Sequence, residues 1–332
     1  MQKKPTTTIS VILPTFNGER YLTETLESIA SQKLPINQLV CSDNQSTDNT
    51  LSIIRAFSER VSFEVICLSQ PAKGITNNYL NALSKANGDI VLVTDQDDVW
   101  LESKTQQMKD ALNRKEVALV SHDSLLVDSD LTSSALTLRG NRDKSKRLSR
   151  LVNNESSIAN LELYLRGGIP LLAHTLGFKS ELTQYLLDKP EEIDDWWFEE
   201  WVGFIALTQG RLFLLEEHLI LYRQHDSQTS GGIQHSSSSR LKVTSGKAKY
   251  ESRMRKLSYC IKLIQHTETN AYRADSLSRY LSFLEARQTG ITHSTFSGAC
   301  KGILTQLYKG NYTRYAKGIR SAALDMFTYL KG

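Results

Sequence analysis

Four apolar residues, Ile90 to Val93, run directly into three carboxylates, Asp95, Asp97 and Asp98. An apolar run of this length reads as a strand buried on both faces, the kind found inside parallel sheets. Ligand sites in open α/β sheets lie beyond the carboxyl ends of such strands. Carboxylates crowded there repel one another unless a cation offsets them. Hard divalent cations take oxygen ligands and share them with substrate phosphates. The segment therefore points to a metal–diphosphate site, with a solvated acidic turn as the plainer alternative.

The preceding residues repeat one grammar. Ile9 to Leu13, Leu39 to Cys41 and Phe63 to Leu68 are short apolar runs, each followed by polar residues. Between them, Leu22, Leu26, Ile29 and Ala30 fall on one helical face. Leu51, Ile53, Ile54 and Phe57 mark a second helix, with Ser46, Thr47 or Asp48 as its N-cap. A third helix runs through Leu80 and Leu83 after Gly74. The order β-α-β-α-β-α-β predicts a parallel sheet that gathers its loops on one edge.

These residues carry a resemblance. SVILPTFNGERYLTETLESIASQ, VCSDNQSTDNT, KGITNNYLNAL and GDIVLVTDQDDVW resemble the family 2 glycosyltransferases over residues 8–105. The resemblance resumes at Asp194-Asp195-Trp196-Trp197 and at Tyr222-Arg223-Gln224-His225, where it is similar to the rhamnosyltransferase-type branch. It implies an α/β fold of GT-A type, with a mostly parallel central sheet flanked by helices. It also implies an inverting, metal-dependent transfer from a nucleotide-diphosphate sugar, dTDP-rhamnose or a UDP-hexose, to a glycan or lipid-linked glycan of a surface polysaccharide. A catalytically inert nucleotide-sugar-binding or scaffold protein of the same fold is the alternative.

By that resemblance Pro14, Thr15, Phe16 and Asn17 face the nucleotide. Asp43 and Asn44 stand where relatives often have two carboxylates that meet a pyrimidine, so the base contact is open here. Lys73 can offset diphosphate charge, and Gly74 permits close backbone approach. Both are donor-site candidates, although a solvated turn explains Lys73 as well. Asp97 is the expected metal ligand, Asp95 a ribose or metal contact, and Asp98 stands behind them. The oxygen ligands favour Mn²⁺ or Mg²⁺. His225 completes the metal shell by resemblance, and Arg223 offers the diphosphate a planar fork. Inversion needs a carboxylate that takes the acceptor's proton. The family pattern makes that Asp195, with Asp194 as the alternative; both also suit a helix start. Trp196 and Trp197 are acceptor-sugar stacking candidates, with core packing the plainer reading of each.

A chain of 332 residues with 40% hydrophobic content accommodates one large domain and an appendage. The four cysteines show no zinc-like spacing, and Cys41 and Cys67 read as buried in strands. That usage predicts a reducing compartment. A polar Met1–Thr8 and no long apolar run predict a cytoplasmic site without a leader or span. The net charge of +4 hides an asymmetry: residues 1–239 hold 23 basic and 31 acidic residues, a net of −8, and residues 240–332 hold 17 and 5, a net of +12. The Gly- and Ser-rich run Gln228–Ser239 reads as a flexible join. The expected division is 1–235, with a donor half at 8–105 and an acceptor half at 106–235, then a basic helical extension at 236–332. Basic amphipathic helices suit an anionic membrane surface at the inner face of the cell membrane, or packing on their own chain or on a homo-oligomeric partner. Nucleic acid is not an expected partner, because the tail has no recognised module or aromatic platform.

Overall fold

A computed structural model describes residues 7–71, 74–165, 167–189, 196–226, 254–255, 257–259, 261–262, 271–291, 295–316 and 318–331. Contacts divide the chain into two compact units, one of 1–156, 170–189 and 196–234, the other of 157–169, 190–195 and 235–332. The second unit thus takes in a helix from the middle of the sequence as well as the basic extension. The expected join at Gln228–Ser239 lies outside the described residues.

The first unit follows the sequence grammar. β1 (Ile9–Thr15), α1 (Leu22–Ala30), β2 (Gln38–Asp43), α2 (Thr50–Ser58), β3 (Glu64–Ser69), α3 (Ile75–Leu83) and β4 (Ile90–Val93) succeed one another. Their strands pair in parallel, with Val11 beside Leu39 and Leu92, and Val40 beside Ile66. Then come β5 (Val99–Trp100), α4 (Lys104–Leu112), β6 (Val117–Val127), β7 (Ser133–Thr137), α5 (Arg142–Asn154), β8 (Leu176–Lys179), α7 (Thr183–Leu187), α8 (Phe198–Gln209) and β9 (Arg211–Arg223). The sheet runs β3-β2-β1-β4-β8-β6-β9-β5, with β7 beside β6. β8 is antiparallel to both β4 and β6, so the parallel donor half continues into a mixed second half.

Side-chain pattern explains the layers. β4 lies between β1 and β8, and all four of its residues are buried. Leu22, Leu26 and Ile29 bury one face of α1 against that sheet, each contributing about 2 kcal/mol through the apolar area removed from water. Ala30, expected on the same face, is exposed; Thr25 takes the place, its hydroxyl donating to the Gln96 carbonyl at 2.9 Å. The N-cap of α2 is Asn49, not Ser46, Thr47 or Asp48, and its side chain makes no cap bond; Asp48, one residue earlier, receives the Thr50 N–H on Oδ1 at 3.0 Å. Cys41 is buried, but Cys67 is exposed because β3 is the sheet's edge strand.

Two amides tie α3 to the strand ends. Asn78 Nδ2 donates to the Thr15 carbonyl at 3.1 Å, and Asn81 Nδ2 donates to Ser42 Oγ at 2.8 Å. The turn into α1 is closed just as firmly. Gly18 N donates to Thr50 Oγ1, Glu19 N to Asp48 Oδ2, and Asn17 N to Ser46 Oγ, at 2.8, 3.0 and 2.8 Å. A Cβ at Gly18 would stand 2.4 Å from Gln96 Oε1, so a larger residue would push aside the Gln96 amide that bonds the Phe16 backbone.

The second unit is helical: α6 (Ser157–Leu165), α9 (Ala271–Ile291), α10 (Phe296–Tyr308), α11 (Asn311–Tyr315) and α12 (Ile319–Lys331). Its interior holds Leu277, Tyr280, Phe283, Leu284, Ala299, Ile303, Tyr312 and Ala322. At its centre Asp325 accepts two bonds from Arg287, at 2.5 and 2.6 Å, and one from Tyr312 at 2.5 Å. A buried pair of this kind is costly to break from one side, because the surviving charge is left without a partner.

Candidate active site

The loops after β1, β2, β4 and β9, with the starts of α3 and α8, line one cavity of about 580 Å³. That volume suits a ligand the size of a nucleotide sugar. One rim is the segment Pro14 to Gly18, with Phe16 55% exposed. Gln96 clamps it: its Oε1 receives the Phe16 N–H at 2.9 Å and its Nε2 donates to the Phe16 carbonyl at 3.0 Å. Asn17 holds a left-handed φ of 47°, which turns its Oδ1 onto the Thr47 N–H at 2.8 Å. Asn44 lines the cavity beside this rim.

The Asp43 carboxylate does not share that wall. It is buried and bonded to Thr15 Oγ1 at 2.9 Å, to Ser46 Oγ at 2.6 Å and to Ser46 N at 2.8 Å. Thr15 is buried with it. Their bond ties the two loops together, and Thr15, unlike Asp43, is among the residues lining the cavity.

Asp95 and Asp97 line the floor together with His174 and His225. His225 Nε2 lies 2.9 Å from Asp97 Oδ2. Tyr21 packs on the imidazole at 4.8 Å between ring centroids. Asp95 receives the Tyr79 hydroxyl and lies 3.2 Å from His174 Nδ1. Burial alone would raise the Asp95 pKa, but the bonds from His174 and Tyr79 outweigh it and hold it below the usual carboxylate range.

Behind the floor sits a fully enclosed group. Asp98 is buried, its Oδ1 accepting from the Arg223 N–H at 3.0 Å and its Oδ2 lying 3.4 Å from His174 Nδ1. That Oδ2 has no hydrogen-bond partner among the described residues. Burial, then the charges of Asp97 and Asp95, push Asp98 well above the usual range. Lys104 Nζ donates to the His174 carbonyl at 2.8 Å and rests 3.9 Å above the Trp100 ring. Burial lowers its pKa to about 7. Glu199, in the first turn of α8, faces the cavity, and burial raises it to about 7.

Several expectations change with these positions. Arg223 does not present a fork to the cavity. It is 1% exposed, and its guanidinium donates to the carbonyls of Asp97 and Ser129 and to the Glu24 carboxylate. Its Nε holds the Asp97 backbone, and its two terminal nitrogens are spent on Ser129 and Glu24. Trp196 is buried, packed edge-on against Trp201 at 5.4 Å and Phe204 at 4.7 Å, so it cannot stack on a sugar. Trp197 is 46% exposed and lines the cavity. Gly74 has a φ of 121° and starts α3, but it is not on the cavity wall. Lys73, Asp194 and Asp195 lie outside the described residues.

Four residues that motif reading passed over belong to the site. Tyr79 and His174 hold Asp95, Glu199 adds a third carboxylate to the wall, and Arg20 is the one Arg or Lys among the described lining residues. The only sequence signal for Arg20 is its place in the turn between β1 and α1.

Oxygen and imidazole donors of this kind fit Mn²⁺ or Mg²⁺. Among the described residues one set of three brings its ligand atoms within 4.8 Å of one another, Asp95, Asp98 and His174; Asp97 and His225 form a separate pair on the same floor. The unpartnered Asp98 oxygen is an acceptor that a cation could satisfy.

A mixed α/β sheet with a nucleotide-sized, carboxylate-floored cavity at its strand ends defines a GT-A type protein. Residues 10–160 match the family model "Glycosyl transferase family 2", so this segment is a family 2 glycosyltransferase domain. The chain is similar to the poly(ribitol-phosphate) β-N-acetylglucosaminyltransferase TarS of Staphylococcus aureus (strain Mu50), 38% identical over 31% of this chain and 18% of TarS. It thus spans about a fifth of that relative's length. The dTDP-rhamnosyl transferase RfbG of Shigella flexneri is 24% identical over 66% of this chain and 73% of its own. The fold is that of S. aureus TarS 1–349 in complex with UDP-GlcNAc, with a TM-score of 0.57 and 17% identity, covering 97% of this chain and 89% of that one. It is also that of the mannosyltransferase PcManGT from Pyrobaculum calidifontis in complex with GDP-Man and Mn²⁺, with a TM-score of 0.51 and 17% identity, covering 99% and 90%.

Proposed function

We propose that the chain is an inverting glycosyltransferase that takes a sugar from a nucleoside-diphosphate donor and transfers it to a growing surface glycan. The observation that carries this reading is the single cavity in which an exposed aromatic rim, an amide and a carboxylate–histidine floor meet at the strand ends. Phe16 and Asn44 offer a face and a polar edge to the nucleobase. Arg20 supplies positive charge to the diphosphate. Its guanidinium lies 4.9 Å over the Tyr21 ring, the ring that also packs on His225, and it lines the same cavity as Asp97 and His225. Trp197 presents the free aromatic face for a sugar ring.

Asp97, His225 and Asp95 would hold a divalent cation, Mn²⁺ or Mg²⁺, which when bound offsets the charge of the departing diphosphate. The set of Asp95, Asp98 and His174 is a second reading, favoured by the closeness of its ligand atoms. The first uses cavity-lining residues alone, whereas Asp98 is wholly buried.

In the transfer, an acceptor hydroxyl oxygen bonds to the sugar's anomeric carbon as the bond from that carbon to the phosphate oxygen breaks. The nucleoside diphosphate leaves with the electron pair. The hydroxyl proton passes to a carboxylate, for which the family pattern proposes Asp195, with Asp194 next. The likeness to RfbG supports dTDP-rhamnose as donor, and the UDP-GlcNAc complex of TarS supports a UDP-hexose. A lipid-linked acceptor would bring the protein to a membrane surface. We propose such contact as peripheral; no helix among the described residues is long and apolar enough to cross a membrane. A nucleotide-sugar panel scored for Mn²⁺-dependent binding, followed by mass analysis of product on a lipid-linked acceptor, tests the reading. Saturable binding with no transfer to any acceptor would favour the inert binding protein.

A further inference from the structure

The three most exposed large apolar side chains among the described residues all belong to the helical unit: Tyr308 at 95%, Ile319 at 77% and Leu304 at 61%. They converge at one end of it. The Phe296 and Tyr329 rings lie 6.1 Å apart, and Cys300 Sγ is 3.9 Å from Met326 Sδ. One partner number rises as the other falls, so α10 and α12 run antiparallel. The far end of α10, at Tyr308, therefore meets the near end of α12, at Ile319. Gly310 and Gly318, with φ of 70° and 60°, bracket the short α11 that joins them. Residues 301, 304 and 308 share one helical face by their spacing, away from the buried Ala299 and Ile303.

Charge says what this end fits. Residues 295–332 contain Lys301, Lys309, Arg314, Lys317, Arg320 and Lys331 against a single carboxylate side chain, Asp325. Asp325 is buried and committed to Arg287 and Tyr312. Arg314 reaches Glu162 of α6 at 2.6 Å, while Lys301, Lys309 and Arg320 are exposed. The surface thus combines protruding apolar tips with cations and offers solvent no acidic side chain of its own segment. A protein groove would require apolar walls around those tips. A bilayer interface accepts them as they stand, because tyrosine and aliphatic side chains enter the headgroup region while lysine and arginine meet anionic headgroups.

We propose that this end of the helical unit, Leu304, Tyr308 and Ile319 among Lys301, Lys309 and Arg320, seats on an anionic lipid bilayer. This deepens the peripheral contact in the proposed function by naming the face that makes it.

The test is co-sedimentation of the full chain with phosphatidylcholine vesicles, with and without phosphatidylglycerol, at low and high salt. The wild type should bind only the anionic vesicles and release at high salt. Leu304→Ser, Tyr308→Ser and Ile319→Ser combined should weaken that binding by about tenfold or more, since each removes apolar area from the interface. An unchanged thermal midpoint and nucleotide affinity would show the fold and the cavity intact. Equal vesicle binding by the triple variant would overturn the assignment of this face while leaving membrane attachment standing. If the wild type ignores both vesicles, the proposal fails. Self-association in analytical ultracentrifugation that the same substitutions abolish would then make the face a contact between copies. Nucleotide binding, read on the same preparations, reports the donor site separately.

Discussion

His225 Nε2 lies 2.9 Å from Asp97 Oδ2, across 128 residues of sequence. β9 pairs along β6 and with β5, and carries His225 back to the loop that follows β4. If these two side chains hold the cation, either one alone should be insufficient. Asp97→Ala and His225→Ala should each lower Mn²⁺ affinity by about tenfold or more, read from the free-Mn²⁺ electron paramagnetic resonance signal. Asp98→Asn should do so only if the buried set of Asp95, Asp98 and His174 is the true centre.

Arg20 is expected to act on phosphate and not on the base. Arg20→Ala should weaken nucleoside-diphosphate binding by about tenfold, the loss of one charge-assisted contact, and leave nucleoside binding unchanged. Arg20→Lys should recover part of it, because the charge returns without the planar fork. Calorimetry with UDP and uridine separates the two. Equal losses for both ligands would mean that the substitution had disturbed the turn.

Asp195, Asp194 and Glu199 are the candidates for taking the acceptor's proton, and substitution separates them. Asp195→Asn should lower turnover by roughly 10²-fold or more with donor affinity preserved. Asp194→Asn should be mild. Glu199→Gln distinguishes a wall residue from the base: a modest change in the acceptor's KM is expected, with kcat largely kept. A Glu199→Gln variant as crippled as Asp195→Asn would move the base to Glu199 in the first turn of α8.

Glu199 also predicts how stability responds to pH. Its folded pKa of about 7 exceeds the value of 4.5 for an exposed glutamate, and burial is the first cause. Between those values the folded state binds more proton than the unfolded one, so its contribution is fully present below 4.5 and lost as pH rises through 7. Glu199→Gln should remove that fall and gain about 2–3 kcal/mol relative to wild type on going from pH 5 to pH 8 in metal-free buffer. Urea unfolding of both proteins at the two pH values measures it. A difference that does not change with pH would mean that Glu199 is solvated.

The strand–helix alternation was legible because buried strands and amphipathic helices write different periods into the chain. Asp95, Asp97 and His225 were legible because each belongs to a short motif. Tyr79, His174 and Arg20 were not, since each is an isolated polar residue until the strand order brings its loop to the cavity. The roles within a pair were also hidden. Trp196 and Trp197 are adjacent, but the entry angle of α8 turns one into the core and the other into the cavity. Arg223 follows a recognisable pattern, yet Glu24 on α1 claims its fork, a contact separated by 199 residues.

The most direct measurement is a titration of UDP and dTDP into the wild-type chain, with Mn²⁺ and with a chelator. One saturable site per chain should appear with at least one of the two nucleotides. It should weaken by about tenfold or more without the metal, as expected where a cation bridges diphosphate and carboxylate. Absence of saturable binding with either nucleotide in the presence of Mn²⁺, or binding of equal strength in chelator and after Asp97→Ala, would contradict a metal-assisted nucleotide-sugar site in this cavity.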